Sequence, residues 1–217
     1  MIRVIVADDH HLVRQGIRAL LEKADGIEVV GEAADGQEAV ELVERLAPEV
    51  LVMDIAMPRL SGNQAVGRIR ALGVGTQVVI LSMYSDETLV RQVLRDGARG
   101  YLLKRSVKGE LLLAIRAASQ GEIYLSPAIS GAIVADFLTP QSDAEPSSPF
   151  ERLTSREREV LQLIAEGHTS SAIARILTLS VKTVEKHRAN LMSKLNVHHT
   201  AGLVRLALKH GLVFLDE

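Results

Sequence analysis

The chain has 217 residues, 47% of them hydrophobic and 24% charged, with a formal net charge of −2. That balance excludes a disordered chain and leaves room for one large domain or two small ones. The absence of cysteine excludes a disulfide framework, a thiolate zinc site and a cysteine nucleophile, and 3% aromatics without tryptophan leave little to stack on single-stranded nucleic acid.

Short apolar runs alternate with helical spacing through the first half. Ile2–Ala7 is a continuous apolar run of strand length, and Leu12, Val13, Ile17, Leu20 and Leu21 then recur at helical intervals. A second strand is expected at Ile27–Ala33 and a second helix at 37–46. Strands are expected again at 50–53, at 78–81 and at Gly100–Leu103, with helices at 89–94 and 110–118. Five strands alternating with helices imply right-handed crossovers and a parallel sheet covered on both faces. The uncharged run 71–85 is too short and too polar to span a bilayer. Acids appear at Asp8 and Asp9, too early for a signal peptide. The expectation is a soluble, cytoplasmic protein with no membrane partner.

Residues 139–150, TPQSDAEPSSPF, hold three prolines and three serines and cannot bury a core, so they read as a linker. Charge divides there as well: residues 1–138 carry a net −3, the linker −2 and residues 151–217 a net +3. An acidic half and a basic half point to separate partners, with an anion for the second.

The second half shows only helical patterns. Thr154 and Glu157 form a capping box ahead of Val160, Leu161, Leu163 and Ile164, and Gly167 ends that helix. Thr169 can cap a helix carrying Ile173, Ile176 and Leu177, and Ser180 the next, with Val184, Leu191 and Leu195 on one face. A final helix at 200–210 completes four. Segments 169–177 and 180–195, joined by a short turn, have the layout of a helix-turn-helix.

Four strand ends carry chemistry: Asp8 and Asp9, Asp54, Ser82, and Lys104. Such groups gather at the carboxyl edge of a parallel sheet. One acid after a strand is more often a cap or a solvated turn, but these together make a reaction site. Three convergent carboxylates invite a hard divalent cation, most plausibly Mg²⁺. A lysine and a hydroxyl beside them suit phosphoryl oxygens, and a carboxylate can itself be phosphorylated. His10 and His11 project about 100° apart at a helix start, so a joint place on one ion is not expected, and they read as structural or solvated.

The acidic pair, Asp54 followed by Met57-Pro58, Ser82, and Tyr101 three residues before Lys104 resemble the receiver domain of two-component response regulators over residues 1–120. The resemblance implies a flavodoxin-like (βα)5 fold with Asp54 as phosphoacceptor from a sensor histidine kinase. It implies Mg²⁺ on Asp9, Asp54 and the Ala56 carbonyl, with Asp8 acting through water. Lys104 and Ser82 are implied to bind the phosphoryl oxygens, and Tyr101 to rotate inward as a switch. Ser82 stands where the family more often has threonine. Residues 153–197, with Leu153-Thr-Ser-Arg-Glu-Arg-Glu-Val-Leu161, Gly167, Thr183-Val184, His187 and Lys194-Leu195, resemble the LuxR-type DNA-binding domain. Here Ser170, Ser171 and Ala172 replace an asparagine and a charged residue common in that family.

The expected organisation is a receiver at 1–120, a connecting helix and linker at 121–150, and an all-α four-helix domain at 151–217. With Val184, Leu191 and Leu195 turned inward, Lys182, Lys186, Ala189 and Ser193 point away from the core, while Thr183, Glu185, Asn190 and Lys194 flank them. Lys182, Lys186, Ala189 and Asn190 are then base-edge candidates, Glu185 a cytosine acceptor, and Lys194 a phosphate contact. Arg188 falls near the apolar edge. The last helix, with Leu203, Leu206 and Leu208, either closes its own bundle or, as the resemblance implies, forms the surface of a homodimer that assembles on phosphorylation and reads inverted repeats. Two other classes are weighed. A phosphohydrolase commonly needs a second carboxylate two residues after its aspartyl nucleophile, and Ala56 occupies that place. A regulator that no longer uses phosphate would not need Asp9, Asp54, Ser82 and Lys104.

Overall fold

Runs rich in valine, isoleucine and leucine become the strands of a parallel sheet. In the computed structural model they are β1 (Ile2–Ala7), β2 (Ile27–Ala33), β3 (Val50–Asp54), β4 (Gln77–Ser82) and β5 (Gly100–Leu103). The helices between and after them are α1 (His11–Leu21), α2 (Gly36–Leu46), α3 (Gly62–Leu72), α4 (Glu87–Asp96) and α5 (Val107–Ser119). The structure describes residues 1–138, 153–209 and 212–213; the stretch 139–150 read as a linker lies outside them. The chain divides into two units, Met1–Thr139 and Pro140–Glu217.

The sheet of the first unit runs β2-β1-β3-β4-β5 and then adds a sixth strand, β6 (Tyr124–Leu125), so the expected count of five is one short. Gly121 takes a φ of +79° as the chain turns back after α5. Tyr124 N–H then donates to the Arg99 carbonyl at 2.9 Å, and Ser126 N–H to the Tyr101 carbonyl at 3.0 Å. The open edge of β5 is thereby paired. Two residues are too few to leave a periodic signal. After β6 the first unit continues into α6 (Pro127–Leu138). α3 escapes the periodicity for a related reason: Ala65, Val66 and Ile69 are its buried apolar residues, between two glycines and two arginines.

Val4, Val6, Val50, Val52, Val79, Leu81 and Leu102 pack on one face against Ile17 and Leu21 of α1 and Leu111, Ala114, Ile115 and Ala118 of α5. The alternate residues, among them Ile5, Leu51, Met53, Ile80 and Leu103, are buried on the other face. Register then decides what meets at the edge. Ala7 pairs with Met53, Asp54 with Leu81, and Ser82 with Leu103. Asp8, Asp54, Ser82 and Lys104 therefore share the carboxyl edge.

In the second unit α7 (Ser155–Ala165) opens with the expected capping box, Thr154 accepting from Glu157 N–H and Glu157 from Thr154 N–H. Thr169 caps α8 (Ser170–Ile176) and Ser180 caps α9 (Val181–Leu195). Gly167, with φ +87°, turns the chain after α7. α10 (Thr200–Lys209) packs on α7, and Leu203 is fully buried in the same core as Val160, Leu161, Ile173, Val184 and Leu191. Leu203 is thus spent on its own bundle, whereas Leu206 and Leu208 stay half-buried. Among the described residues, no helix is long and apolar enough to cross a membrane.

Gly62 brings the start of α3 against the end of β3. A Cβ there would stand 2.6 Å from the Asp54 carbonyl oxygen and 2.8 Å from Ile55 Cα, both backbone atoms that cannot swing aside. Gly62→Ala is expected to destabilise the first unit by about 1–3 kcal/mol, read as a lower urea midpoint.

Candidate functional site

At the carboxyl edge, Asp8 is fully buried and Asp54 is 2% exposed. Lys104, carried by the turn after β5, places Nζ 2.8 Å from Asp8 Oδ2 and 2.8 Å from Asp54 Oδ2. One ammonium thus faces two desolvated carboxylates. Burial pushes the Asp54 carboxyl up to about 6; Lys104 and the Ala56 N–H pull it down, and Asp8 pushes it up. Burial also opposes the Lys104 ammonium, but Asp54 and Asp8 hold its pKa above the usual lysine value.

Asp9 lies nearer to solvent, and His10 Nδ1 stands 2.8 Å from its Oδ1 and 3.4 Å from Asp8 Oδ1. The two histidines part company, as their angular spacing requires: His10 joins the acids, whereas His11 Nδ1 meets Arg14 at 3.3 Å. Asp8, Asp9, His10 and Asp54 each offer a ligand atom, all within 4.8 Å of one another. Asp8 Oδ2, though close to Lys104, receives no well-aligned hydrogen bond. Three carboxylates with one lysine between two of them, in a mainly oxygen set, fit Mg²⁺.

Ser82 is fully buried, and its Oγ accepts from Tyr84 N–H at 3.0 Å. Tyr101 OH donates to the Tyr84 carbonyl at 2.9 Å. The Tyr101 ring is already inward, 0% exposed, and burial pushes its phenol up to about 12. Ser82 and Tyr101 are therefore joined through the backbone of Tyr84. The receiver resemblance already couples Ser82 to Tyr101; the Tyr84 backbone between them is the addition, since peptide groups carry no residue signature. Arg14 is a second addition: it donates to the Asp8 carbonyl at 2.6 Å and to Glu32 Oε2 at 3.2 Å.

In the second unit, Val184, Leu191 and Leu195 of α9 are buried, while Lys182, Glu185, Lys186, Ala189 and Asn190 are exposed. Thr183 is half-buried, its Oγ1 2.8 Å from Ser180 Oγ. Arg188 donates to Thr200 Oγ1 at 3.1 Å. Lys194 is tied to Glu157 Oε2 at 2.7 Å, which turns it toward α7 rather than leaving it free beside the exposed face. Lys194 and Thr154 offset the burial of Glu157 and hold its carboxyl below the usual range.

A parallel sheet with an acid–lysine edge, followed by a separate helix-turn-helix unit, defines a two-part signalling protein. The family model of the response regulator receiver domain matches residues 4–116, and that of the bacterial regulatory proteins of the luxR family matches residues 151–207. The oxygen regulatory protein NreC of Staphylococcus carnosus (strain TM300) is 41% identical over 214 residues, 97% of this chain and 99% of its own. A solved LuxR-family two-component response regulator from Aurantimonas sp. SI85-9A1 is 34% identical with a TM-score of 0.61, over 64% of this chain and 99% of that one. The response regulator RcsB in complex with DNA is 28% identical with a TM-score of 0.59, over 96% of this chain and 98% of that one. The chain belongs to the two-component response regulators that join a receiver to a LuxR-type helix-turn-helix domain.

The buried Asp54 charge has a stability cost. Its folded pKa of about 6 lies above its ordinary value of 3.8, so stability falls as pH rises from about 4 to about 6. In chelator-containing buffer near neutral pH, Asp54→Asn is expected to raise stability by on the order of 2 kcal/mol. That gain should shrink toward pH 4, as read by thermal denaturation across the range.

Proposed function

We propose that this protein is a phosphorylation-controlled transcriptional regulator in which Asp54 accepts a phosphoryl group from a sensor histidine kinase. The single observation that carries the reading is Lys104 bridging Asp8 and Asp54, 2.8 Å from each, at the edge where β1, β3 and β5 end. With a pKa of about 6, Asp54 is ionised at neutral pH and nucleophilic. One carboxylate oxygen attacks the phosphorus of a kinase phosphohistidine. An O–P bond forms, the P–N bond breaks, and the imidazole leaves with the electron pair. Lys104 moves from the Asp54 carboxylate to the new phosphoryl oxygens, and the Ser82 hydroxyl donates to another. Asp9, Asp54 and the Ala56 carbonyl would hold Mg²⁺, with Asp8 assisting through water; bound there, the ion neutralises charge on the phosphoryl oxygens. Ala56 offers no carboxylate to activate water, which favours a lasting aspartyl-phosphate over turnover by an enzyme. The protein works in the cytoplasm, with its kinase and its DNA.

Ser82 drawn toward the phosphoryl group pulls on Tyr84, and through it on the inward Tyr101. That repacks the surface around α4 and β5. The output is dimerisation and DNA binding by α9, with Lys182, Lys186, Ala189 and Asn190 at base edges and Glu185 accepting from cytosine. Thr183 lies at the flank, and Lys194 reaches phosphate only as far as its pair with Glu157 allows. RcsB, of the same family, has been solved as dimers bound to DNA, which supports this reading.

Acetyl phosphate with Mg²⁺ is expected to add one phosphoryl mass to the wild type and none to Asp54→Asn. An unchanged adduct in the variant removes Asp54 from its role. On DNA, the phosphorylated protein is expected to protect an inverted repeat with half-sites about 10 bp apart. Lys182→Ala and Lys186→Ala should each weaken binding; a base contact costs about 1–3 kcal/mol and depends on sequence, whereas a phosphate contact costs uniformly and flattens the salt slope. Footprinting with salt titration separates the two.

A further inference from the structure

Ser126 sits between β6 and α6, fully buried, with every polar atom engaged. Its N–H donates to the Tyr101 carbonyl at 3.0 Å. Its Oγ accepts from Leu103 N–H at 3.3 Å and donates to Glu110 Oε2 on α5. Its carbonyl accepts from Ile129 N–H at 2.8 Å and Ser130 N–H at 3.1 Å, the first turn of α6. A serine that only ended a two-residue strand would need one of these bonds. This one ties three elements together, and on β5 it holds both Tyr101 and the residue immediately before Lys104.

We propose that Ser126 is a positioning residue that couples the Lys104 end of β5 to α6, the helix that leads out of the first unit. The proposal rests on the reading of Asp54 as phosphoacceptor. Lys104 Nζ now occupies Asp54 Oδ2, and a phosphoryl group on that carboxylate displaces it outward to the phosphoryl oxygens. The backbone of Leu103 follows, one residue away. The Leu103–Ser126 bond, 3.3 Å long, ties that backbone to the residue before α6. Pro127 passes the shift on stiffly, because its ring fixes φ at the first position of α6. A bond that differs between the two states biases the equilibrium, whereas one equal in both does not.

The test uses full-length wild type, Ser126→Ala, Ser126→Thr and Glu110→Ala, each with and without acetyl phosphate and Mg²⁺. Intact mass gives the phosphorylated fraction. Amide hydrogen exchange reads Ile129 and Ser130, and affinity is measured on a duplex selected from a random pool by phosphorylated wild type. Ser126→Ala and Glu110→Ala are expected to reach the wild-type phosphorylated fraction but lose the phosphorylation-dependent change in α6. Their gain in DNA affinity should fall by about tenfold. Ser126→Thr keeps the hydroxyl and both responses. A serine that merely holds the fold would shift α6 exchange equally with and without phosphodonor, and that result overturns the coupling. So does an undiminished affinity gain in both alanine variants, or a lower phosphorylated fraction, which would place Ser126 at the acceptor rather than beyond it. Should Ser126→Ala not fold, Glu110→Ala decides alone, since it removes only a half-buried acceptor. A wild type that takes up no phosphoryl group sinks the reading of Asp54, and the coupling falls with it.

Discussion

The ammonium of Lys104 between the carboxylates of Asp8 and Asp54 is the contact on which the first unit turns. Two buried carboxylates share that one ammonium as their counter-charge. Burial still leaves Asp54 with a raised pKa. The site is thus held short of positive charge, in the sense that a divalent cation or a rearranged lysine would relieve. That shortage distinguishes it from an ordinary buried ion pair, whose geometry would saturate every oxygen.

Everything around the cluster serves to keep it at the sheet edge. Parallel register brings the ends of β1, β3, β4 and β5 level. Gly62 lets α3 begin directly against the Asp54 backbone, and Arg14 anchors the Asp8 carbonyl from α1. From the edge, two hydrogen-bonded routes lead away. One runs from Ser82 through Tyr84 to Tyr101, the other from the end of β5 through Ser126 to α5 and α6. Each links a side-chain hydroxyl to a backbone group of a neighbouring element.

The second unit is organised around a different buried carboxylate. Glu157 closes the cap of α7 and pairs with Lys194 of α9, a polar tie beside the apolar core that joins those two helices. Leu203 and Ala207 of α10 complete the core behind them. The opposite face of α9 is left to solvent, with Lys182, Lys186 and Asn190 beside Glu185 and Ala189. A face carried on a packed helix pays little ordering entropy when it meets an anionic partner.

Much of this was legible in the residues. Long apolar strands declare themselves because burial on both faces removes all polar positions, and the caps at Thr154, Thr169 and Ser180 declare themselves because a helix start needs a side-chain acceptor. The acids and the lysine could be placed at one edge because a parallel sheet has only one carboxyl edge. By the same logic the outward face of α9 followed from three inward residues. What tertiary structure alone decided lies where local pattern is too short or where two segments compete for one group. β6 exists because β5 has an open edge, not because two residues prefer a strand. Leu203 closes its own core, and Lys194 goes to Glu157. Each of these depends on a partner distant in the chain, and no spacing along the chain encodes that.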